Sequence, residues 1–251
     1  MALLSLPDSL PPLPWTRRQQ VKAQATVDPI FNPPTRQLTS QGIDVSLEDR
    51  WLILGTTGTG KTTFSKELLR HLFQFYPQTP AYILDSKADN DFAKWHAGLV
   101  ISDDPPDLIE TGVQVWQPGI DDQGAYDAWF DAILHAPGAA IVLIDEISSL
   151  KKGKGNEAPP GFQRLLKQGR SKGKTVINCT QEMAYNPRQI VTQTTHKVRF
   201  RMGGAFDMRE ANKLIGREGS DPEPAHEHGF FYRRADRLSA LVEYHSYRDF
   251  F

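Results

Sequence analysis

The chain has 251 residues, with 29 lysines and arginines against 30 aspartates and glutamates. That length is enough for one full α/β domain with a substantial core plus short appendages. The near-neutral balance excludes a chain-wide polyanion-binding or membrane-surface character, so any such signal must be local.

Residues 1–45 are rich in proline, glutamine and threonine ("LPPLPW", "DPIFNPPTRQLTSQG") and carry little helical or strand periodicity, which predicts an extended arm. Leu3, Leu4, Leu6, Trp15 and Phe31 are costly to leave in water, and a strap across a neighbouring subunit would cover them. The first residues have no basic n-region, prolines interrupt them, and no run of about 18 apolar residues follows anywhere. The expectation is a cytoplasmic protein that is not integral to a membrane. The single cysteine, Cys179, lies in the apolar run "TVINC", which excludes an intramolecular disulfide and reads as a core thiol.

From Trp51 onward, apolar runs alternate with helical patterns: "WLIL", the helix around "KTTFSKELLRHLFQF", "AYILD", "VQVW", "AYDAWFDAILHA", "AAIVLIDE", "FQRLLKQG" and "TVINCTQ". Continuous apolar strands separated by helices predict an α/β fold with a mostly parallel central sheet covered on both faces. After "HKVRFRM" and a helix near "AFDMREANKLIG", the runs "GFFYRR" and "LSALVEYH" read as a terminal β-hairpin. The expected organisation is an arm over 1–45, a core over 46–216 and a hairpin extension of that core over 217–251.

The stretch Gly55, Thr56, Thr57, Gly58, Thr59, Gly60, Lys61, Thr62, Thr63 fits Gly-x-x-x-x-Gly-Lys-Thr between a predicted strand and a predicted helix. Glycines allow successive N–H groups to point at an anion, and the helix N-terminus adds positive partial charge. Lys61 would reach the β- and γ-phosphates of ATP, and Thr62 would ligate Mg²⁺. The strand in "AAIVLIDEIS" ends in two acids: Asp145 to hold the Mg²⁺ and Glu146 to orient and deprotonate an attacking water. The next strand ends in Thr180 and Gln181, and an amide there is placed to sense the γ-phosphate. Lys87, in "LDSKADND", reads either as a contributor to the site or an interface, or as part of an ordinary turn capped by Asp85. The "HEH" of His226–His228 has no metal-ligand spacing.

The succession "WLILGTTGTGKTT", "AYILDSKAD", "AAIVLIDEIS", "LLKQGRSKGKTVINCTQ…NPRQIVTQTTHKVRFRMG" resembles the FtsK–HerA superfamily of DNA-pumping ATPases, and the compact size resembles its viral genome-packaging members. The resemblance covers about Trp51 to Gly216. It implies a RecA-like P-loop NTPase of the additional-strand catalytic-glutamate type, a homo-hexameric ring and double-stranded DNA threaded through its centre. It also implies a portal or membrane protein of a capsid as anchor, and a place in the host cytoplasm or at a capsid vertex. Carried over by position, Lys61, Thr62, Asp145, Glu146 and Gln181 keep the roles given above. Arg170 matches the arginine that reaches a neighbouring subunit's nucleotide, with Arg199 and Arg201 as alternatives. The sequence departs from many members by placing Glu182 and Met183 after the sensor glutamine, where they have Arg-Pro.

Between Lys151 and Lys174 eight basic residues face one acid, Glu157, so a local excess of about +7 stands in a chain of net charge −1. Lys151, Lys152 and Lys154 lie in a Gly-rich loop directly after the acid-ended strand, placed to grip DNA phosphates. The expected function is an ATP-driven translocase of double-stranded DNA. An assembly ATPase acting on protein, and a nucleotide switch without turnover, remain the alternatives.

Overall fold

The structure, a computed structural model, describes residues 36–37, 44–88, 92, 95, 100–118, 123–150, 157–183, 188–217, 223–235 and 241–251. The proposed strap residues Leu3, Leu4, Leu6, Trp15 and Phe31 and the loop lysines Lys151, Lys152 and Lys154 lie outside the described residues.

A two-stranded antiparallel ladder, β1 (Arg36–Gln37) and β2 (Asp44–Val45), opens the described chain. Periodicity could not announce it, because two-residue strands are too short to show any. There follow β3 (Arg50–Leu54), α1 (Lys61–Phe75), β4 (Ala81–Leu84), β5 (Val100–Ser102), β6 (Val113–Trp116), α2 (Gln123–His135), β7 (Ala140–Ile144), α3 (Pro160–Gln168) and β8 (Lys174–Thr180). The chain continues through α4 (Arg188–Gln193), β9 (His196–Arg199), α5 (Ala205–Ile215), β10 (Phe230–Arg234), β11 (Val242–Tyr244) and α6 (Tyr247–Phe250). The edge strand β5 and the short helices α4 and α6 were not anticipated, since each is too short to carry a pattern of its own.

The main sheet has nine strands in the order β11-β10-β9-β3-β8-β7-β4-β6-β5. From β9 to β5 every neighbouring pair is parallel. The terminal hairpin adds to this sheet, with β10 antiparallel to both β9 and β11. The order puts β8 between β3, which leads into the Gly-rich loop, and β7, which ends in the acids. With this extra strand between the loop-bearing and the acid-ended strands, the fold is RecA-like.

The central strands are fully buried because helices cover both faces. Along β3 the side chains alternate: Trp51 and Ile53 join the cluster around α1, whereas Leu52 and Leu54 join the cluster beneath α2 and α3. Helix α2 presents Tyr126, Trp129, Phe130, Ile133 and Leu134 to that second cluster, at the i, i+3, i+4, i+7, i+8 spacing of one helix face. Helix α1 buries Phe64, Leu68, Leu69 and Leu72 on the other side, where Phe250 of α6 closes against Phe64. Cys179 is buried in the core, 3.2 Å from Ser65 Oγ, and burial pushes its thiol up to about 12, with Asp145 adding to the shift. It is an inert packing group, as its apolar run implied.

Candidate active site

In a parallel sheet the carboxyl ends of the strands meet along one edge, and ligands bind in the crevice there. Here that edge gathers Gly55 after β3, Asp85 after β4, Asp145 after β7, Gln181 after β8 and Arg201 beyond β9. Five separate stretches of sequence thus converge.

The loop from Gly55 to Gly60 turns on the carbonyl of Thr56. It accepts from Thr59 Oγ1 at 2.8 Å and from Lys61 Nζ at 2.8 Å. The loop is tied to the sheet on both sides, with Gly55 N donating to Thr180 O at 3.2 Å and Thr56 N donating to Arg201 O at 2.9 Å. Two of its glycines are required by geometry. Gly60, the residue before α1, has φ 105°, a left-handed conformation that other residues adopt at a cost. A Cβ on Gly55 would lie 2.7 Å from Phe200 Cβ and 2.7 Å from Thr59 Oγ1. Helix α1 begins at Lys61, so its free N–H groups and positive dipole end face the loop. The Lys61 side chain is buried, and burial lowers its ammonium below the usual lysine range; Lys87 pushes the same way, while Cys179, Glu146 and Asp145 oppose the shift.

Asp145 and Glu146 are 3% and 7% exposed at the end of β7. Glu146 Oε1 accepts from Ser148 Oγ at 2.8 Å and from Ser148 N at 3.3 Å. Lys87 Nζ stands 3.4 Å from Asp145 Oδ2 and 3.6 Å from Glu146 Oε2. The sequence left open whether Lys87 belonged to the site or to an ordinary turn, and its ammonium lies on the acid pair. Among the described residues no group of three or more His, Cys, Asp and Glu side chains is placed to enclose an ion. A hydroxyl at a helix start and a buried carboxylate at a strand end form a donor set suited to Mg²⁺, which keeps waters and takes phosphate oxygens as ligands. Thr62 and Asp145 are the residues that would hold it.

Gln181 Oε1 accepts from Thr57 Oγ1 at 2.8 Å, a direct link from the end of β8 to the phosphate loop. Glu182 and Met183 continue in a turn in which Thr180 Oγ1 donates to Glu182 O and Met183 N donates to Asp207 Oδ1 of α5. The three candidate arginines lie apart. Arg170 sits in the short helical turn before β8, exposed, 3.6 Å from Glu48 Oε2 and at the opposite end of the strands from the phosphate loop. Arg199 is fully buried, 2.8 Å from Glu223 Oε2. Arg201 donates to Pro224 O and Ala225 O, both at 3.3 Å, beside the loop that its own carbonyl supports.

The basic footprint is thinner than its sequence count. Lys174 is buried with Nζ on Ala136 O at 2.9 Å and Gly138 O at 2.6 Å, closing the turn after α2. Arg164 is paired with Asp131. Arg164 therefore joins α3 to α2, and Lys174 joins β8 to the turn after α2. One neighbour of the loop escaped sequence reading altogether. His228 Nδ1 lies 3.8 Å from where a Cβ on Gly60 would be, brought there by the segment before β10. No signal in "AHEHG" connects it to residues 168 positions earlier.

No family model matches the chain, and no curated protein matches it by sequence. Solved structures do match it in fold. The genome packaging NTPase B204 from Sulfolobus turreted icosahedral virus 2, in complex with ATP-gammaS, aligns over 80% of this chain and 99% of its own, with TM-score 0.61 and 16% identity. The pCW3 conjugation coupling protein TcpA with ATPgS aligns over 88% of this chain and 68% of its own, with TM-score 0.56 and 15% identity. EssC (ATPases 2 and 3) from Geobacillus thermodenitrificans aligns over 93% of this chain and 47% of its own, with TM-score 0.56 and 16% identity. The chain therefore shares its fold with FtsK-type and packaging P-loop ATPases.

Proposed function

We propose that this chain is an ATP-hydrolysing member of the FtsK–HerA superfamily that translocates double-stranded DNA, as a genome-packaging motor. One observation carries the enzymatic part. The acid pair at the end of β7 is close enough to act on the Lys61 ammonium and Gln181 at the end of β8 bonds Thr57, so both stand at the same Gly-rich loop, with β8 between the strands that carry the loop and the acids.

In this reading the N–H groups of Gly58 to Thr62 cradle the phosphates, and Lys61 leaves the Thr56 carbonyl to meet the β- and γ-oxygens. Thr62 and Asp145 would hold Mg²⁺, which would supply positive charge against the charge that develops in phosphoryl transfer. Glu146, fixed by Ser148, takes the proton of the attacking water. Gln181 changes partner when the γ-phosphate leaves, and through Thr57 it reports that loss to β8. An arginine from a neighbouring copy, Arg170 first, completes the charge stabilisation in a hexameric ring. That an exposed Arg170 lies far from its own loop supports a role in trans rather than in cis.

The DNA part rests on the basic sequence 151–154 after the acid pair and on the fold shared with B204, a packaging NTPase of which 99% is aligned with this chain. Placement would be cytoplasmic or at a capsid vertex, on a portal or membrane protein. Lys151, Lys152 and Lys154 would grip backbone phosphates without reading sequence. The test is ATP turnover with and without long duplex DNA at two salt concentrations, for the wild type and for the triple alanine variant of those lysines. The wild type should be stimulated by DNA, with binding that falls by a log–log slope of about −0.9 per phosphate contact. The triple variant should keep basal turnover, lose the stimulation and flatten the slope by up to about 3 units. Turnover that no DNA stimulates in any assembly state would favour a motor that acts on protein, and binding without turnover would leave a nucleotide switch.

A further inference from the structure

Lys87 has no part in the chemistry above, yet the chain goes to some length to aim it. It lies in the turn 85–88 that follows β4. That turn holds Ala88 at φ 50°, a left-handed conformation uncommon for a residue with a Cβ and costly enough to need a reason. The turn is clamped by Asp85, which is fully buried: Oδ1 accepts from Ala88 N at 3.2 Å, and Oδ2 accepts from Gln117 Nε2 at 2.8 Å, beyond the end of the neighbouring strand β6. The ammonium so positioned meets both carboxylates of the acid pair at once.

Two adjacent carboxylates, each less than a tenth exposed, repel one another and lack water to screen them. A single cation between them relieves both penalties. An Mg²⁺ ion on Asp145 would do the same work with twice the charge. We propose that Lys87 is the resident counter-cation of the Asp145–Glu146 pair and exchanges with the divalent ion, so that ammonium and metal occupy the pair in competition. This inference rests on the reading of the pair as part of a nucleotide site. Lys87 is thereby a positioning residue: it holds the two carboxylates in place from one side, and it sets how strongly nucleotide binding depends on metal. Lys87 is also close enough to Lys61 to depress its ammonium, as a lysine at the rim of the phosphate region would be.

The exchange makes a prediction that a surface lysine would not. With Lys87 present, a nucleotide entering without metal finds one of the pair's two negative charges already offset. With Lys87→Gln, it meets the pair with one positive charge fewer, whereas metal-bound nucleotide brings its own compensation. The test measures the dissociation constant of a fluorescent ATP analogue in excess EDTA and in excess Mg²⁺ for the wild type, Lys87→Gln and Lys87→Arg. The ratio of the two constants should rise by about tenfold or more in Lys87→Gln, the scale of one unit charge acting across a few ångströms of partly screened medium. Lys87→Arg should hold the wild-type ratio. As a second measurement, Mg²⁺ without nucleotide should raise the melting temperature of Lys87→Ala more than that of the wild type, since the ion then has no ammonium to displace. An unchanged ratio in Lys87→Gln, or equal Mg²⁺ stabilisation of Lys87→Ala and wild type, overturns the exchange while leaving the nucleotide site intact. Failure of the wild type to bind the analogue under either condition overturns the nucleotide reading itself and the exchange with it.

Discussion

Replacing Glu146 by glutamine separates chemistry from binding more cleanly than any other change at this site. The side chain is isosteric, and Oε1 keeps its hydrogen bond from Ser148 Oγ. What is lost is the proton-accepting charge and the contact of Oε2 with Lys87 at 3.6 Å. The Lys87 side chain is 32% exposed, so water screens that pair and its loss should cost no more than about 1 kcal/mol. In a chain of this size that lowers the melting temperature by about 2–4 °C. Removal of a general base typically costs about 10²-fold or more in rate, equivalent to about 3 kcal/mol of barrier. The variant should therefore melt within a few degrees of the wild type, bind a fluorescent ATP analogue in Mg²⁺ with unchanged affinity, and hydrolyse labelled ATP in single turnover at least about a hundredfold more slowly. A Glu146→Gln protein that hydrolysed ATP at the normal rate would refute the assignment of the base. One that bound no nucleotide while folded would show that the carboxylate holds the ligand rather than the water.

Gly55→Ala should lower nucleotide affinity by at least about tenfold in the same titration, because its Cβ would sit 2.7 Å from Phe200 Cβ and push the loop off β9; unchanged affinity would mean that the loop relaxes freely. Arg170→Ala should retain nucleotide but lose about 10³-fold in turnover, and mixing it with Glu146→Gln subunits should recover activity; a strictly additive mixture would point to Arg201 or to a finger in cis. Burial, with Lys172 adding, lowers the Lys174 ammonium to about 8. The unfolded chain then binds more protons than the folded one between about pH 8 and pH 10.5, so this residue's contribution to stability rises with pH across that window and is lost as pH falls through 8. Urea unfolding of wild type and Lys174→Met at pH 7.5 and 9.5 should show wild type gaining about 1–2 kcal/mol relative to the variant at the higher pH; no relative gain would mean that the two carbonyl bonds hold the ammonium charged.

The sequence alone determined the parts that depend on short-range pattern. A strand, a Gly-rich loop and a helix can be read in "WLILGTTGTGKTTF" because the backbone needs of an anion cradle restrict neighbouring residues, and a continuous apolar run ending in Asp145 and Glu146 reads as a buried strand delivering charge to an edge. Apart from β5 and α4, the same holds for the strand and helix types from β3 to β10, whose lengths suffice for a period to show. Which distant pieces share a surface comes from the packing of the whole chain. The insertion of β8 between β3 and β7 carries Gln181 to Thr57, the clamped turn after β4 carries Lys87 to the acid pair, and the segment before β10 carries His228 to Gly60. Charge counting overstated the basic surface for the same reason: whether Lys174 faces solvent or a pair of carbonyls depends on where the turn after α2 lies, 36 to 38 residues away along the chain. Local sequence restricts φ and ψ within a few residues, but strand order and side-chain partnership come from which packing of the whole chain buries the most apolar surface with its polar groups satisfied, and no single stretch contains that information.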